Sequence, residues 1–139
     1  MTQLEDALKQ IIGVAPRYMR APYFAVNDLV LGVMTDLGYH VIDASIDTKD
    51  YANDDPSLIG NSINNFKDGL NAGGNIVLVH DVHEQTVRAL TPAMLDEIKS
   101  RGLTGMFHSS HRLYFGDLLT SLAVTVGECL GDSKDLWYK

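Results

Sequence analysis

His80-Asp81-Val82-His83-Glu84 puts four ionisable side chains within five residues, directly after the apolar run Ile76-Val77-Leu78-Val79. Two other short stretches carry comparable chemistry: Arg20 with Pro22 and Tyr23, and Asp47 with Asp50 and Tyr51. A histidine, one or two carboxylates and an arginine are the parts of an acid–base site, in which a carboxylate orients the imidazole and stabilises its charge. The same residue types also make surface ion-pair clusters, and residue type alone does not choose between the two. His80 and His83 could instead ligate a metal, with Asp81 or Glu84 as a third ligand. Three ligands so close on one bending loop are hard to aim at a tetrahedral centre. His108 and His111 form a second pair at the same spacing, with no helical pattern to set their direction. Cys129 reads as structural, since nothing near it in sequence would lower its pKa. No phosphate loop, dinucleotide glycine fingerprint, Gly-x-Ser-x-Gly elbow or His-Glu-x-x-His is present.

The elements around these residues follow from periodicity. An apolar run of four after Gly73-Gly74 suits a strand buried on both faces, as in a parallel sheet. In parallel α/β sheets, functional groups collect at the carboxyl ends of strands. Upstream, Thr2 with Glu5 predicts a capping box for a helix that Gly13 stops. Arg17–Arg20 reads as a brief strand, and Asn27-Asp28 opens a helix closed by Gly38. Tyr39–Ile46 reads as one strand, 47–56 as a polar loop, and Ser57 to about Leu70 as a third helix. Thr91-Pro92 predicts an N-cap with proline at the first helical position, and Gly102 ends that helix. Helix and strand alternate with short connections, which argues for a parallel sheet with right-handed crossovers, in a barrel or an open sheet. The pattern opens on a helix with no strand before it, and three or four strands cannot close a barrel, so part of a domain is expected. From Gly105 to Leu122 the rhythm fails. A strand over Ala123–Val126, ending in Gly127-Glu128-Cys129, then resumes it.

The bulk composition narrows the classes. A chain of 139 residues, 45% apolar and 21% charged, fits one modest globular domain. A net charge of −7 argues against nucleic acid and anionic membrane surfaces. No stretch approaches the roughly 18 to 20 apolar residues of a membrane span, and the first residues lack a signal-peptide pattern. With a single cysteine no internal disulfide forms, and taken literally this is a cytoplasmic chain with a free thiol.

Arg17-Tyr18-Met19-Arg20-Ala21-Pro22-Tyr23, Asp47-Thr48-Lys49-Asp50-Tyr51 and Ile76–Asp81 resemble, in order, the third, fourth and fifth motifs of the polysaccharide deacetylases, carbohydrate esterase family 4. His80–Thr86, Leu90-Thr91-Pro92, and Val124–Asp132 leading to Trp137-Tyr138 look like the fungal chitin deacetylases of that family. The resemblance spans residues 1–104 and 123–139. It implies a distorted (β/α) barrel, here partial and lacking its N-terminal strands, and a metal-dependent amide hydrolysis that frees acetate from N-acetylglucosamine units of chitin. The expected cofactor of the intact enzyme is a divalent metal, zinc or cobalt, acting as Lewis acid. By match to the motifs, His80 would be the general acid, Asp50 would set its protonation state (Asp47 being the weaker candidate), and Arg20 would orient the base carboxylate. The Tyr23 N–H would help bind the oxyanion. Leu78, Tyr51 and Pro22 would line the substrate site, with Leu78 walling the acetyl methyl. Partners implied are chitin or its oligosaccharides, with no nucleic acid and no membrane, and a monomeric state; the intact protein would be secreted or in the cell wall.

The departures are as specific. The family's first two motifs supply the base and the metal ligands upstream of the third, whereas residues 1–16 contain no histidine. His108-Ser109-Ser110-His111 imitates the second motif with the wrong spacing in the wrong place, so no metal ligand is assigned. The expectation is a truncated C-terminal part that binds no metal itself. Fungal members carry an early cysteine that looks like the partner of the Cys129 position. Relatives run from the equivalent of Thr104 directly into Ala123, so 105–122 is expected to be a translated intron; a mature transcript encoding it would sink that idea. Two rivals stand beside this reading: a non-catalytic carbohydrate-binding remnant using Tyr23 and Tyr51, and a truncated product with exposed sheet edges that aggregates.

Overall fold

A computed structural model describes residues 1–103 and 125–139, and the chain falls into two units, Met1–Asp43 with Thr125–Lys139, and Ala44–Val124. The expectations for 105–122, for His108 and His111, and for Ala123-Val124 lie outside the described residues.

In the first unit, α1 (Thr2–Ile12) ends at Gly13, whose φ of 80° suits glycine and whose N–H closes on the Lys9 carbonyl. The capping box is not there. Thr2 is already helical, Met1 precedes it, and the Glu5 carboxylate reaches Lys9 (2.7 Å) and Lys139 (2.9 Å) instead. β1 (Tyr18–Met19) is shorter than expected and leads to a 3₁₀ turn over Pro22–Phe24. α2 (Asp28–Asp36) starts as predicted, with the Asn27 side chain accepting the Val30 N–H at 2.9 Å. Gly38 follows with a φ of 73°. β2 (His40–Val41) then pairs parallel with β1, in the register Tyr18 to His40 and Met19 to Val41. The tail of the chain corrects one expectation. Thr125 is not in a strand: its hydroxyl caps α5 (Val126–Cys129) by accepting the Glu128 N–H at 3.3 Å. Thr125-Val-Gly-Glu128 is a capping-box pattern, and it prevails over the β-branched residues around it.

In the second unit, β3 (Ile46–Asp47), α3 (Ile59–Asn71) and β4 (Val77–Leu78) form a parallel βαβ unit, with Ile46 beside Val77 and Asp47 beside Leu78. The single strand expected over Tyr39–Ile46 is thus two strands in two sheets. The break has a visible cause: Ser45 and Ile46 both donate to the Ile76 carbonyl (2.9 and 3.0 Å), and the Ser45 hydroxyl takes the N–H of Asn75 and Ile76. Two donors on one carbonyl displace the ladder as a bulge does. Ser57 does not begin α3 either; its N–H and hydroxyl turn back to the Asp55 carboxylate. α3 buries Ile59, Ser62 and Phe66, one face at helical spacing. Ile46 fills the space opposite, so close to α3 and the following turn that only glycines fit at 69 and 74.

Thr91 is not an N-cap. A π-helical turn, Thr86–Leu90, runs straight into α4 (Thr91–Ser100), and the Thr91 N–H reaches back five residues to the Thr86 carbonyl. Pro92 has no N–H to continue the ordinary ladder, and a widened turn accommodates it. Glu97 on α4 takes Lys67 and Arg101, while Arg101 also reaches Asn71, which ties α4 to α3.

The parallel α/β expectation therefore holds. Among the described residues the strands make two two-stranded pairs, β1–β2 and β3–β4, and these do not by themselves make a barrel. No helix among the described residues is long and apolar enough to cross a membrane.

Candidate active site

From Ile46 the chain alternates inward and outward: Ile46, Thr48 and Asp50 are buried, while Asp47 and Lys49 are exposed. Past the end of β3 the chain turns at Lys49, left-handed with a φ of 55°, and the 3₁₀ turn that follows sets its first residue, Asp50, in the interior. Thr48 secures the carboxyl end of β4 by donating its hydroxyl to the Leu78 carbonyl at 2.8 Å. Two residues later His80 meets Asp50.

Asp50 is fully buried and its oxygens accept four hydrogen bonds. Oδ1 takes the Tyr51 N–H (2.9 Å) and lies 2.8 Å from His80 Nδ1; Oδ2 takes the His80 N–H (2.5 Å) and the Thr86 hydroxyl (2.8 Å). Burial pushes the Asp50 carboxyl up, but the bonds from the His80 ring, the His80 N–H and Thr86 together outweigh it, so its pKa lies below the usual carboxylate value. An ionised Asp50 has only lone pairs to offer, so His80 carries a proton on Nδ1 and turns Nε2 to its chemistry. The His80 side chain is 39% exposed, which leaves it reachable by a substrate.

Two further rings flank it. Tyr51 lies edge-on at 5.7 Å between centroids and His83 at 5.8 Å. The Tyr51 hydroxyl donates to Asp47 Oδ2 at 3.2 Å, and this neighbouring carboxylate, then burial, raises the Tyr51 phenol pKa. Asp47, the weaker candidate for holding His80, serves Tyr51 and the Lys49 N–H instead. His83 pairs through Nδ1 with Asp54 at 3.2 Å, and Asp54 also accepts the Gln85 N–H. Leu78 is half-buried at the end of β4.

The remaining sequence candidates belong to the first unit. Arg20 lies with its guanidinium 5.7 Å from the Phe24 ring centre. Pro22 opens the 3₁₀ turn, in which Tyr23 and Phe24 both adopt positive φ, 55° and 52°. Two adjacent non-glycine residues in that region are uncommon and strained, and Tyr23 is fully exposed.

Sequence reasoning gave no role to Thr86 or Asp54. Thr86 fell in a stretch matched only as wording, and Asp54 sits among polar loop residues. No local pattern marks Asp54, whose partner His83 lies 29 positions on.

The resemblance implies a divalent metal. Among the described residues no three His, Cys, Asp or Glu side chains are grouped to hold one. The described residues do not fit a resident metal.

No family model matches the chain. A probable peptidoglycan-N-acetylglucosamine deacetylase of Arthroderma benhamiae is 51% identical over 140 residues, which cover 100% of this chain and 28% of that protein. A chitin deacetylase of the same fungus is 50% identical over 100% of this chain and 33% of its own length. A chitin deacetylase of Colletotrichum lindemuthianum is 44% identical, again over 100% of this chain, and 50% of it is covered. The solved structure of the chitin deacetylase from Colletotrichum lindemuthianum superimposes with a TM-score of 0.78 at 43% identity, over 100% of this chain and 55% of that one. A polysaccharide deacetylase from Bacillus cereus follows at a TM-score of 0.65 and 25% identity, over 80% of this chain and 57% of that one.

A parallel βαβ unit ending in a carboxylate-held histidine is thus shared ground with relatives of the polysaccharide deacetylase class. Over its whole length the chain is similar to polysaccharide deacetylases, and the curated relatives at 44–51% identity are deacetylases of chitin and of peptidoglycan N-acetylglucosamine. It spans between 28% and 50% of the length of those three proteins.

Proposed function

We propose that the chain is the C-terminal part of a metal-dependent deacetylase that hydrolyses the N-acetyl group of N-acetylglucosamine units in chitin, with His80 as general acid. The observation that carries this is the Asp50–His80 contact. In amide hydrolysis, water adds to the acetyl carbon and the C–N bond breaks as the nitrogen gains a proton, releasing acetate and an amine. The amine is a poor leaving group until protonated, so a positioned acid contributes about 10²- to 10⁴-fold. Doubly protonated His80 gives its Nε2 proton to that nitrogen, while Asp50 keeps the Nδ1 proton in place and balances the imidazolium charge. Activating the water requires a metal and a base, and that task is not assigned to the described residues. Leu78 walls the acetyl methyl, Tyr51 and Pro22 contact the sugar, Arg20 orients the base carboxylate and the Tyr23 N–H takes the oxyanion. The whole chain acts as one partial deacetylase domain, within a secreted or cell-wall protein that works as a monomer on chitin oligosaccharides.

The test places this chain in a complete framework. Residues 1–139 replace the matching segment of the Colletotrichum lindemuthianum enzyme, and acetate release from chitin oligosaccharides is measured. The expected result is an active chimera that loses at least ~100-fold in kcat on His80→Asn substitution. A folded chimera without activity, or one indifferent to His80→Asn, overturns the proposal. The half-exposed Tyr51 ring beside His80 (52% exposed) favours a second reading, binding of the sugar without hydrolysis. Calorimetric titration of the 139-residue chain with chitin oligosaccharides in the presence of a chelator tests it; no heat of binding overturns it.

A further inference from the structure

His80 is held by a single ring atom. The Nδ1 bond to Asp50 fixes the tautomer but leaves the ring free to swing about that contact, and at 39% exposure solvent does not restrain it. Catalytic side chains need their ring planes locked by packing as well as hydrogen bonding.

The structure supplies a second imidazole–carboxylate pair beside the first. Asp50 and Asp54 stand four positions apart, His80 and His83 three apart, and each carboxylate takes one imidazole through Nδ1, at 2.8 and 3.2 Å. A turn joins the two histidines, with the His83 N–H reaching the His80 carbonyl at 3.3 Å. The rings meet at 5.8 Å with their planes 80° apart, the edge-to-face arrangement that aromatic pairs prefer. Asp54 is itself anchored, since its other oxygen accepts the Gln85 N–H at 2.8 Å. Gln85 adjoins Thr86, whose hydroxyl holds Asp50. The two pairs are thus fixed to one another through the backbone as well as through the rings.

Two of the neighbouring charges are engaged elsewhere. Glu84 faces outward to Arg88 at 2.8 Å with both side chains largely exposed, and Asp47 holds the Tyr51 hydroxyl. His83 therefore supports His80 alongside the Tyr51 ring, which also meets it edge-on, at 5.7 Å.

We propose that His83, held by Asp54, is a positioning residue that fixes the ring plane of His80. It touches no reacting atom; it restricts the direction in which His80 Nε2 points. This rests on the reading of His80 as the acid, yet its test does not need activity.

The 139-residue chain is labelled at the histidine rings and the His80 carbon order parameter and tautomer are read by NMR. In the unsubstituted chain the His80 ring is expected in the range of a rigid group, about 0.85, with one tautomer. His83→Ala is expected to lower the order parameter below about 0.6, with the Asp50-held tautomer kept. His83→Phe, which keeps a ring at the edge but gives up the Asp54 bond, is expected to recover most of the order. Asp54→Asn should fall between. An unchanged His80 ring in His83→Ala overturns the proposal, and so does a ring equally loosened in His83→Phe and His83→Ala. In the chimera described above, His83→Ala is expected to lower kcat with KM unchanged. Loss of activity in the unsubstituted chimera would count against the proposed function while the NMR result still decides the role of His83.

Discussion

The Tyr18 hydroxyl donates to the Asp132 carboxylate across 2.5 Å, although 114 positions separate the two residues in the chain. Neighbouring main-chain bonds reinforce the contact: Ala15 and Lys139 exchange N–H and carbonyl at 2.9 and 2.8 Å, and the Arg17 N–H reaches the Trp137 carbonyl at 2.9 Å. The tail is thereby sewn beside β1.

That contact has a pH signature. The hydrogen bond to Asp132, and then burial, push the Tyr18 phenol up from 10.0 to about 12. A group whose folded pKa is raised contributes stability that is fully present below its unfolded pKa and lost as pH rises through the folded one. Thermal melts of the chain and of Tyr18→Phe should therefore differ most below pH 10 and converge towards pH 12. A constant gap across that range would mean the carboxylate does not hold the phenol.

Glu5 works at the other end of the scale. Hydrogen bonds from Lys9, Lys139 and Tyr39, in that order, lower its carboxyl from 4.5 to about 2. The sign is reversed: its stabilisation is present above the unfolded value and disappears as pH falls from 4.5 towards 2. Replacing it in Glu5→Gln should lower the melting temperature at pH 7 and lose its effect near pH 2, as followed by circular dichroism.

In the second unit, Thr86→Val removes one of the four donors to the buried Asp50 carboxylate at nearly constant shape. A hydrogen bond to a charged group is worth about 1.5–3 kcal/mol, and urea unfolding should show a loss of that order. Asp50→Asn should cost more, about 3–5 kcal/mol, because it breaks a buried charge arrangement. A smaller loss for Asp50→Asn than for Thr86→Val would contradict the account of the site.

Gly69 and Gly74 face Ile46. A Cβ at 69 would lie 2.7 Å from Ile46 Cγ2, and one at 74 would lie 2.5 Å from Ile46 Cγ1. Overpacking of this kind costs about 1–3 kcal/mol. Gly74→Ala should destabilise by that amount in urea melts, and adding Ile46→Ala should make the pair less damaging than the sum of the two single changes. Strict additivity would show that the clash is relieved elsewhere.

How much of this could be read beforehand depended on whether the deciding interaction was local. Asn27 capped its helix as expected because the bond spans three residues. The alternation of helices and apolar runs gave the parallel βαβ arrangement, but the strand expected to be buried on both faces, β4, is only two residues long and half-buried. Thr2, Ser57 and Thr91 carried the same kind of cap signal and failed, each for its own reason: a carboxylate captured by Lys9 one turn on and by the distant Lys139, an aspartate two residues back, and a helix that had already begun. The split of Tyr39–Ile46 turned on a serine hydroxyl meeting Asn75 and Ile76, thirty residues on and beyond any local pattern. At the site, Asp50 and His80 were found through the resemblance, which also preferred Asp50 to Asp47. The His83–Asp54 pair spans 29 positions, and no local rule could have joined it.

One bond in the site reaches past the histidine side chain. Because Asp50 Oδ2 holds the main-chain N–H of residue 80, the loop keeps its anchor whatever side chain stands there. His80→Ala would leave an imidazole-shaped space with Asp50 on one wall, the His83 and Tyr51 rings on others and an opening to solvent. Free imidazole in the buffer could enter that space and dock on the same carboxylate, so the site is built for chemical complementation: the reagent can be detached from the protein and supplied from a bottle.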